Sequence, residues 1–357
     1  MKTKNRAIII SVSAFFLIMS LWGIFWETPK YSESERRALA SFPDLNMEDM
    51  ISGKFSKAFD NYAVERFPAR DAWRQIKAYT KTKFFLQKDN NNIYTAGHHI
   101  SQMEYPMNTP MMDYAIELFS GIKEKYLDDN NIYLAIIPDK NNYLADRTGH
   151  LSMDFEKFSS YMAEHMEYAQ YIEISDLLEA DDYYYTDSHW KQDKIVDVAE
   201  RIADTMGADI FKTYTEHLSE VEFYGVYAGQ SALKCEPDTL TYLLSDTIQE
   251  AQVKGAKAIY DMEKAKGKDP YEMFLSGNQE LITIKNDNCN REKRLIMFRD
   301  SFGSSIAPLF IKGYSEIILV DLRYISSERL ADFIDFENAD VLFLYSTILL
   351  NHARSMK

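Results

Sequence analysis

Residues 294–310 read RLIMFRDSFGSSIAPLF: an apolar run, then Arg-Asp-Ser, then small and apolar residues. Leu295 to Phe298 is apolar without interruption, which suits a central strand covered on both faces. The polar turn at 299–301 passes the chain to a helix expected through Phe310. The same alternation continues downstream, with a strand expected over 316–320, a helix over 326–335 and a strand over 340–345. Upstream, IYLAII at 132–137 is a second central-strand pattern ending in the loop PDKNNY, and 171–174 fits a short strand. Strands alternating with helices imply right-handed βαβ units. The expected fold class is therefore α/β, three layers with a mostly parallel sheet. Helices are expected over 54–83, broken at Pro68, and over 110–128 and 191–206. Residues 210–290 are more polar and carry no clear pattern.

The composition is that of a globular chain of 357 residues, with 46% hydrophobic and 27% charged. A formal net charge of −15 argues against nucleic acid, whose phosphates call for basic patches. It also predicts repulsion from anionic lipid headgroups. One short basic cluster, Arg291 to Arg294, interrupts the acidic balance, and it contains Glu292. The 24 tyrosines and 21 phenylalanines suit either a carbohydrate surface or an aromatic core. Cys235 and Cys289 stand in no metal-ligand spacing, so no metal is expected and no cofactor is called for. Their separation is compatible with a disulfide or with free thiols.

The N-terminus sets the compartment. MKTKNR is basic, and Ala7 to Trp26 then runs twenty positions without a charge. A helix of that length spans roughly 30 Å, the thickness of a bilayer core. The basic flank should stay cytoplasmic and send the rest of the chain outward. Bulky Trp22, Phe25 and Trp26 occupy the place where a cleaved signal peptide needs small residues. The segment 1–27 is therefore read as a retained anchor, ended by Glu27, Thr28 and Pro29. Residues 28–54 read as a stalk and 55–357 as the domain.

Two segments could carry chemistry. Ser301 falls at the C-terminal end of a parallel strand, where α/β proteins place their sites, and at the start of a helix. Asp300 or Ser301 could equally be a helix cap. YYYTDSHW at 183–190 offers Asp187 and His189 two positions apart: a base, and a carboxylate to fix its tautomer. Trp190 could wall a pocket or pack. His98, His99, His150, His165, His217 and His352 lack that setting.

Taken together, D-x-H-W followed much later by an apolar strand and D-S-F resembles the DHHW proteins. It is also similar to the AlgX/AlgJ-type polysaccharide O-acetyltransferases, whose domain is SGNH-hydrolase-like. Further short blocks resemble the same group: SESERRALASFPDL (32–45), FDNYAVERFPARD (59–71), IIPDKNNY (136–143), DLRY (321–324) and LFLYST (342–347). The resemblance implies Ser301 as nucleophile, His189 as base and Asp187 as orienting carboxylate, in an order permuted relative to ordinary SGNH enzymes. It implies that Arg323 and Tyr345 line the site. Gly225, in FYGVYAG, is an oxyanion-loop candidate. Two departures stand out. Ser188 occupies the middle position of the motif, and Arg299 precedes Asp300 where the pattern has Gly. Arg299 is bulky enough to crowd the turn.

The implied function is transfer of an acetyl group to a cell-surface or exported polysaccharide by a membrane-anchored, extracytoplasmic enzyme. A membrane-bound O-acyltransferase would be its partner and acyl source. A carbohydrate esterase using the same residues, or a catalytically silent glycan-binding assembly protein, are the alternatives.

Overall fold

Seven strands make the central sheet, and their side-chain alternation explains why it needs cover on both faces. They are β1 (Asn131–Ile137), β2 (Gln170–Tyr171), β3 (Gln252–Lys254), β4 (Leu281–Lys285), β5 (Arg294–Arg299), β6 (Glu316–Val320) and β7 (Ala339–Ser346). On β7, Val341, Phe343 and Tyr345 face one apolar core, and Leu342 and Leu344 face the other. The strand order is β2-β1-β7-β5-β6-β4-β3. Pairings from β2 through β6 are parallel, and β4 pairs antiparallel with both β6 and β3. Helices Thr109–Tyr126 and Phe155–His165 cover one face, and Val196–Met206 with the 303–313 segment covers the other. This is the three-layer, mostly parallel α/β architecture expected from the sequence.

The computed structural model describes residues 2–25, 29–289 and 292–357. Trp26, Glu27 and Thr28, expected to close the anchor, and Arg291 of the basic cluster lie outside the described residues. The chain divides into two compact units, 1–90 with 228–234, and 91–227 with 235–357. In that division residues 55–90 group with the N-terminal segment.

The N-terminal unit begins with helix Lys2–Phe25. Its Lys4–Gly23 stretch has a mean hydropathy of 1.8 and is long and apolar enough to cross a bilayer. Residues 31–38 form a small antiparallel turn. Glu35 in that turn pairs with Arg70 at 2.5 Å, and Arg66 Nε donates to the Ala40 carbonyl at 2.9 Å. The expected 54–83 helix is two helices, Lys54–Glu65 and Arg70–Tyr79, followed by a π-helical turn at Thr80–Phe84. Pro68 has no N–H to continue the ladder, and Ala69 takes a left-handed conformation between the two helices.

Three further expectations change in detail. The helix after Ser301 is one α turn, Gly303–Ile306, passing into 3₁₀ at Ala307–Gly313; Pro308 lacks the donor that would extend it. The helix expected over 191–206 starts at Val196, after a 3₁₀ turn. Within 210–290, where the sequence showed no pattern, Thr215–Phe223 pairs antiparallel with Asp238–Leu244, and β4 joins the main sheet. Cys235 and Cys289 are both free.

Candidate active site

Strand β5 lies between β7 and β6, and its C-terminal end delivers Asp300 and Ser301. Asp300 is buried, and its carboxylate folds the turn. One oxygen accepts the Phe302 N–H at 3.0 Å; the other accepts the Ser346 N–H at 2.9 Å and hydroxyl at 2.6 Å. The turn is thereby clamped to the end of β7. Gly303 lets the chain double back over Arg299, since a Cβ there would stand 2.6 Å from the Arg299 Cβ.

The Asp-His segment has no regular structure, yet it is closed on itself. Tyr183 bridges Trp190, and the Tyr184 N–H donates to the His189 carbonyl at 3.0 Å. Distant residues then hold it. The buried Asp238 accepts from the N–H groups of Tyr185 and Thr186, both at 2.7 Å, and from the Thr186 hydroxyl at 2.6 Å. Lys140, fully buried, donates to the carbonyls of Tyr184 at 3.0 Å and Tyr185 at 3.2 Å. Burial pulls the Lys140 ammonium down to about 8 while Asp187, Asp139 and Asp238 oppose it.

The two segments meet through one hydrogen-bond chain. Asp187 Oδ1 lies 2.6 Å from His189 Nδ1, and His189 Nε2 lies 2.7 Å from Ser301 Oγ. Asp187 Oδ1 also takes the backbone N–H of His189 at 3.1 Å, and its Oδ2 takes the Val226 N–H at 2.8 Å. A carboxylate so filled favours its ionised form. With Nδ1–H directed at Asp187, Nε2 is the nitrogen free to accept from Ser301. The His189 side chain is 14% exposed, so this end of the chain opens to solvent.

The fold is the one seen in a DHHW family protein. That protein, from Eubacterium siraeum, matches with a TM-score of 0.58 at 21% identity, over 75% of this chain and 95% of its own. Bacillus cereus PatB1, solved with a sulfonyl adduct, matches with a TM-score of 0.51 at 20% identity, over 72% and 95%. The O-acetyltransferase domain of Pseudomonas putida AlgJ gives 0.46 at 10% identity, over 73% and 93%. No protein-family model and no curated protein matches the sequence. The likeness is one of fold.

The other anticipated residues take different places. Arg323 is 21% exposed and grips Asp321 with two donors, Nε to Oδ1 at 2.9 Å and Nη2 to Oδ2 at 2.6 Å. Tyr345 is fully buried and stacks on Phe119 at 5.2 Å, in the core rather than on an open wall. Trp190 is also fully buried, its Nε1–H donating to Ser305 Oγ at 2.8 Å and to the Phe302 carbonyl at 3.2 Å. It fixes the floor beneath the site and does not wall it. Gly225 spends its N–H on Thr186 Oγ1 at 2.8 Å, which leaves no donor for an oxyanion. What position 225 requires is the absence of a side chain: a Cβ would stand 2.3 Å from the Asp187 Cβ and 2.4 Å from the Thr186 carbonyl oxygen.

Arg299 does not crowd Ser301. Its guanidinium turns to Asp321, Nη1 to Oδ2 at 3.7 Å, and donates to the Asp300 carbonyl at 3.3 Å. Asp321 is thus held between two guanidinium groups. Among the described residues Arg299 Nε and Nη2 have no hydrogen-bond partner, and burial draws its pKa below the usual range.

One site residue escaped the sequence reading entirely. The Tyr271 ring lies face to face with the His189 imidazole, centroids 3.8 Å apart and planes 11° from parallel. Its hydroxyl donates to Ser305 Oγ at 2.9 Å, and that oxygen also receives the Trp190 N–H. The imidazole plane is therefore set by a ring that is itself tethered to the turn after Ser301. Nothing in DPYEMF at 269–274 announces this role.

Proposed function

We propose that this chain is a membrane-tethered, extracytoplasmic O-acetyltransferase acting on a cell-surface or exported polysaccharide. Ser301 is its nucleophile, His189 its base and Asp187 the carboxylate that orients the imidazole. The observation that carries the reading is the unbroken Asp187–His189–Ser301 hydrogen-bond chain at the C-terminal end of a parallel sheet. Ser301 Oγ adds to the acyl carbonyl carbon as its proton passes to His189 Nε2. The donor's leaving group departs with that proton, leaving an ester on Ser301 and a neutral imidazole. A sugar hydroxyl then adds to the ester while His189 takes its proton, and Ser301 Oγ leaves and recovers the proton. Asp187 stays ionised and stabilises the imidazolium in both halves. The backbone N–H of Ser301 is the group assigned to the developing oxyanion.

The tether is assigned to Lys4–Gly23, with Lys2, Lys4 and Arg6 on the cytoplasmic side. Activated acyl thioesters are cytoplasmic, so the acyl group is assigned to delivery by a membrane-bound O-acyltransferase. The buried ion pair of Arg299 with Asp321 leaves Ser301 in contact with His189. This favours an active site over a silent scaffold.

Replacing Ser301 with Ala tests the proposal. Ester-linked acetyl on the surface glycan is expected to fall to background, and unchanged acetyl content would sink the reading. A sulfonyl fluoride should label the parent chain and not S301A, a probe suggested by the adduct on PatB1. Acetate release from an acyl donor with no acetylated oligosaccharide formed would assign water as the acceptor and make the chain an esterase.

A further inference from the structure

Arg299 is fully buried at the end of β5, two residues before Ser301. An ion pair does not account for it. Its Nη1 stands 3.7 Å from Asp321 Oδ2, too far for a hydrogen bond. Arg323 holds the same carboxylate far more closely, at 2.9 and 2.6 Å. Arg299 is therefore a weakly neutralised buried charge, an arrangement that costs stability rather than adding to it. Among the described residues its hydrogen bond goes to the Asp300 carbonyl, from Nη1 at 3.3 Å, while Nε and Nη2 bond to nothing.

That carbonyl belongs to the peptide that carries the Ser301 N–H. The Gly303 N–H donates to the same oxygen at 3.1 Å, so two donors fix it. The Asp300–Ser301 peptide is trans, and a trans peptide is planar with its C=O and N–H pointing in opposite directions. Holding the carbonyl toward Arg299 thus turns the Ser301 N–H away from Arg299. Among the described residues that N–H donates to no protein group. The Asp300 carboxylate is engaged elsewhere, on Phe302 and Ser346. A positive charge at the carbonyl end also polarises the peptide and makes its N–H a stronger donor.

We infer that Arg299 is a positioning residue for acyl transfer, an inference that rests on the proposed role of Ser301. Arg299 acts through the Asp300 carbonyl, aiming and polarising the Ser301 N–H that meets the oxyanion. The oxyanion exists only once Ser301 Oγ has added to the acyl carbon. The contribution of Arg299 therefore falls on the rate of acylation and not on binding of the acyl donor.

The test measures the burst of p-nitrophenol from p-nitrophenyl acetate, using the full chain in detergent micelles. Labelling by a sulfonyl fluoride counts the competent Ser301 in each preparation, and rates are taken per labelled site. R299M should lower the saturating acylation rate about tenfold or more, approaching the roughly 10²-fold that losing a whole oxyanion donor costs. The half-saturating donor concentration should hardly move. R299K keeps a charge and a donor beside the Asp300 carbonyl and should return the rate to within a few-fold of the parent. Should R299M fail to fold, R299Q against R299K carries the comparison, with the neutral variant again the slower. A folded R299M that acylates at the parent rate per labelled site overturns the inference. So does a raised half-saturating concentration at an unchanged rate, or an R299K no faster than its neutral counterpart. S301A separates the two readings. A burst that survives in S301A sinks the role of Ser301 itself, whereas a silent S301A beside a parent-like R299M sinks only that of Arg299.

Discussion

The two segments that meet at Ser301 are held in unlike ways. The Arg299–Gly303 turn leaves a strand paired on both sides, and one carboxylate, Asp300, finishes it through Phe302 and Ser346. The 183–190 loop has no sheet to stand on. Lys140, Asp238, Gly225 and Val226 hold it by reaching in from three separate stretches of chain. Ser301 is thus placed by backbone pairing, and His189 by buried charges and amides distant in sequence. Damage to the loop's supports should therefore cost activity while sparing the sheet.

The sharpest way to break this contrast is Gly225→Ala. The added methyl has no room against Asp187 and Thr186, so the loop must shift. Overpacking of this kind costs about 1–3 kcal/mol or more. We expect acetyl transfer to fall by about 10²-fold or more, as misplacement by roughly an ångström does. Circular dichroism should still report a folded α/β domain. Retained activity in G225A would show that the loop tolerates displacement.

Asp238→Asn comes next. It keeps the shape but removes the charge that accepts three hydrogen bonds, each worth about 1.5–3 kcal/mol when the acceptor is ionised. A lowered denaturant midpoint together with reduced turnover is expected. The matched change in the other segment, Asp300→Asn, should move the midpoint at least as much, because that carboxylate joins two central strands.

Tyr271 separates orientation from chemistry. Tyr271→Phe keeps the stacked ring and loses only the bond to Ser305, so activity should stay within a few-fold of the parent. Tyr271→Ala removes the ring that sets the imidazole plane and should cost about tenfold or more, since misplacing a reacting group by roughly an ångström can cost about 10²-fold. Equal activity of both variants would exclude a positioning role.

A last effect concerns pH. Asp139, just past β1, is buried, with Oδ1 taking the Asn141 N–H at 2.8 Å and Oδ2 without a partner among the described residues. Burial pushes its carboxyl up to about 7. The folded state therefore keeps a proton that the unfolded chain releases from about pH 4. Stability should fall as pH rises from about 4 to 7 and change little from this group above that range. Asp139→Asn should flatten that slope, read from denaturant midpoints across the window.

Legibility in the sequence follows the same division. β5, β6 and β7 lay open as apolar runs because a strand buried on both faces must be apolar throughout. Ser301 was legible because such a strand ended there in polar residues. Asp187 and His189 were visible as a pair two positions apart. Tyr345, Trp190 and Gly225 stood out in the sequence, but residue type does not say which way a side chain faces. β4 went unseen because LITIK sits in a polar stretch and joins the sheet antiparallel, outside the βαβ rhythm.

The sequence by itself determined the layered α/β architecture, the apolar N-terminal helix and the turn bearing Ser301, because periodicity and local turn chemistry act over a few residues. Tertiary structure alone decided that His189 meets Ser301, that Tyr271 stacks on the imidazole and that Arg299 turns to Asp321. Those contacts join residues from about twenty to more than a hundred positions apart, and only the packed sheet, by fixing where each strand ends, brings them within reach.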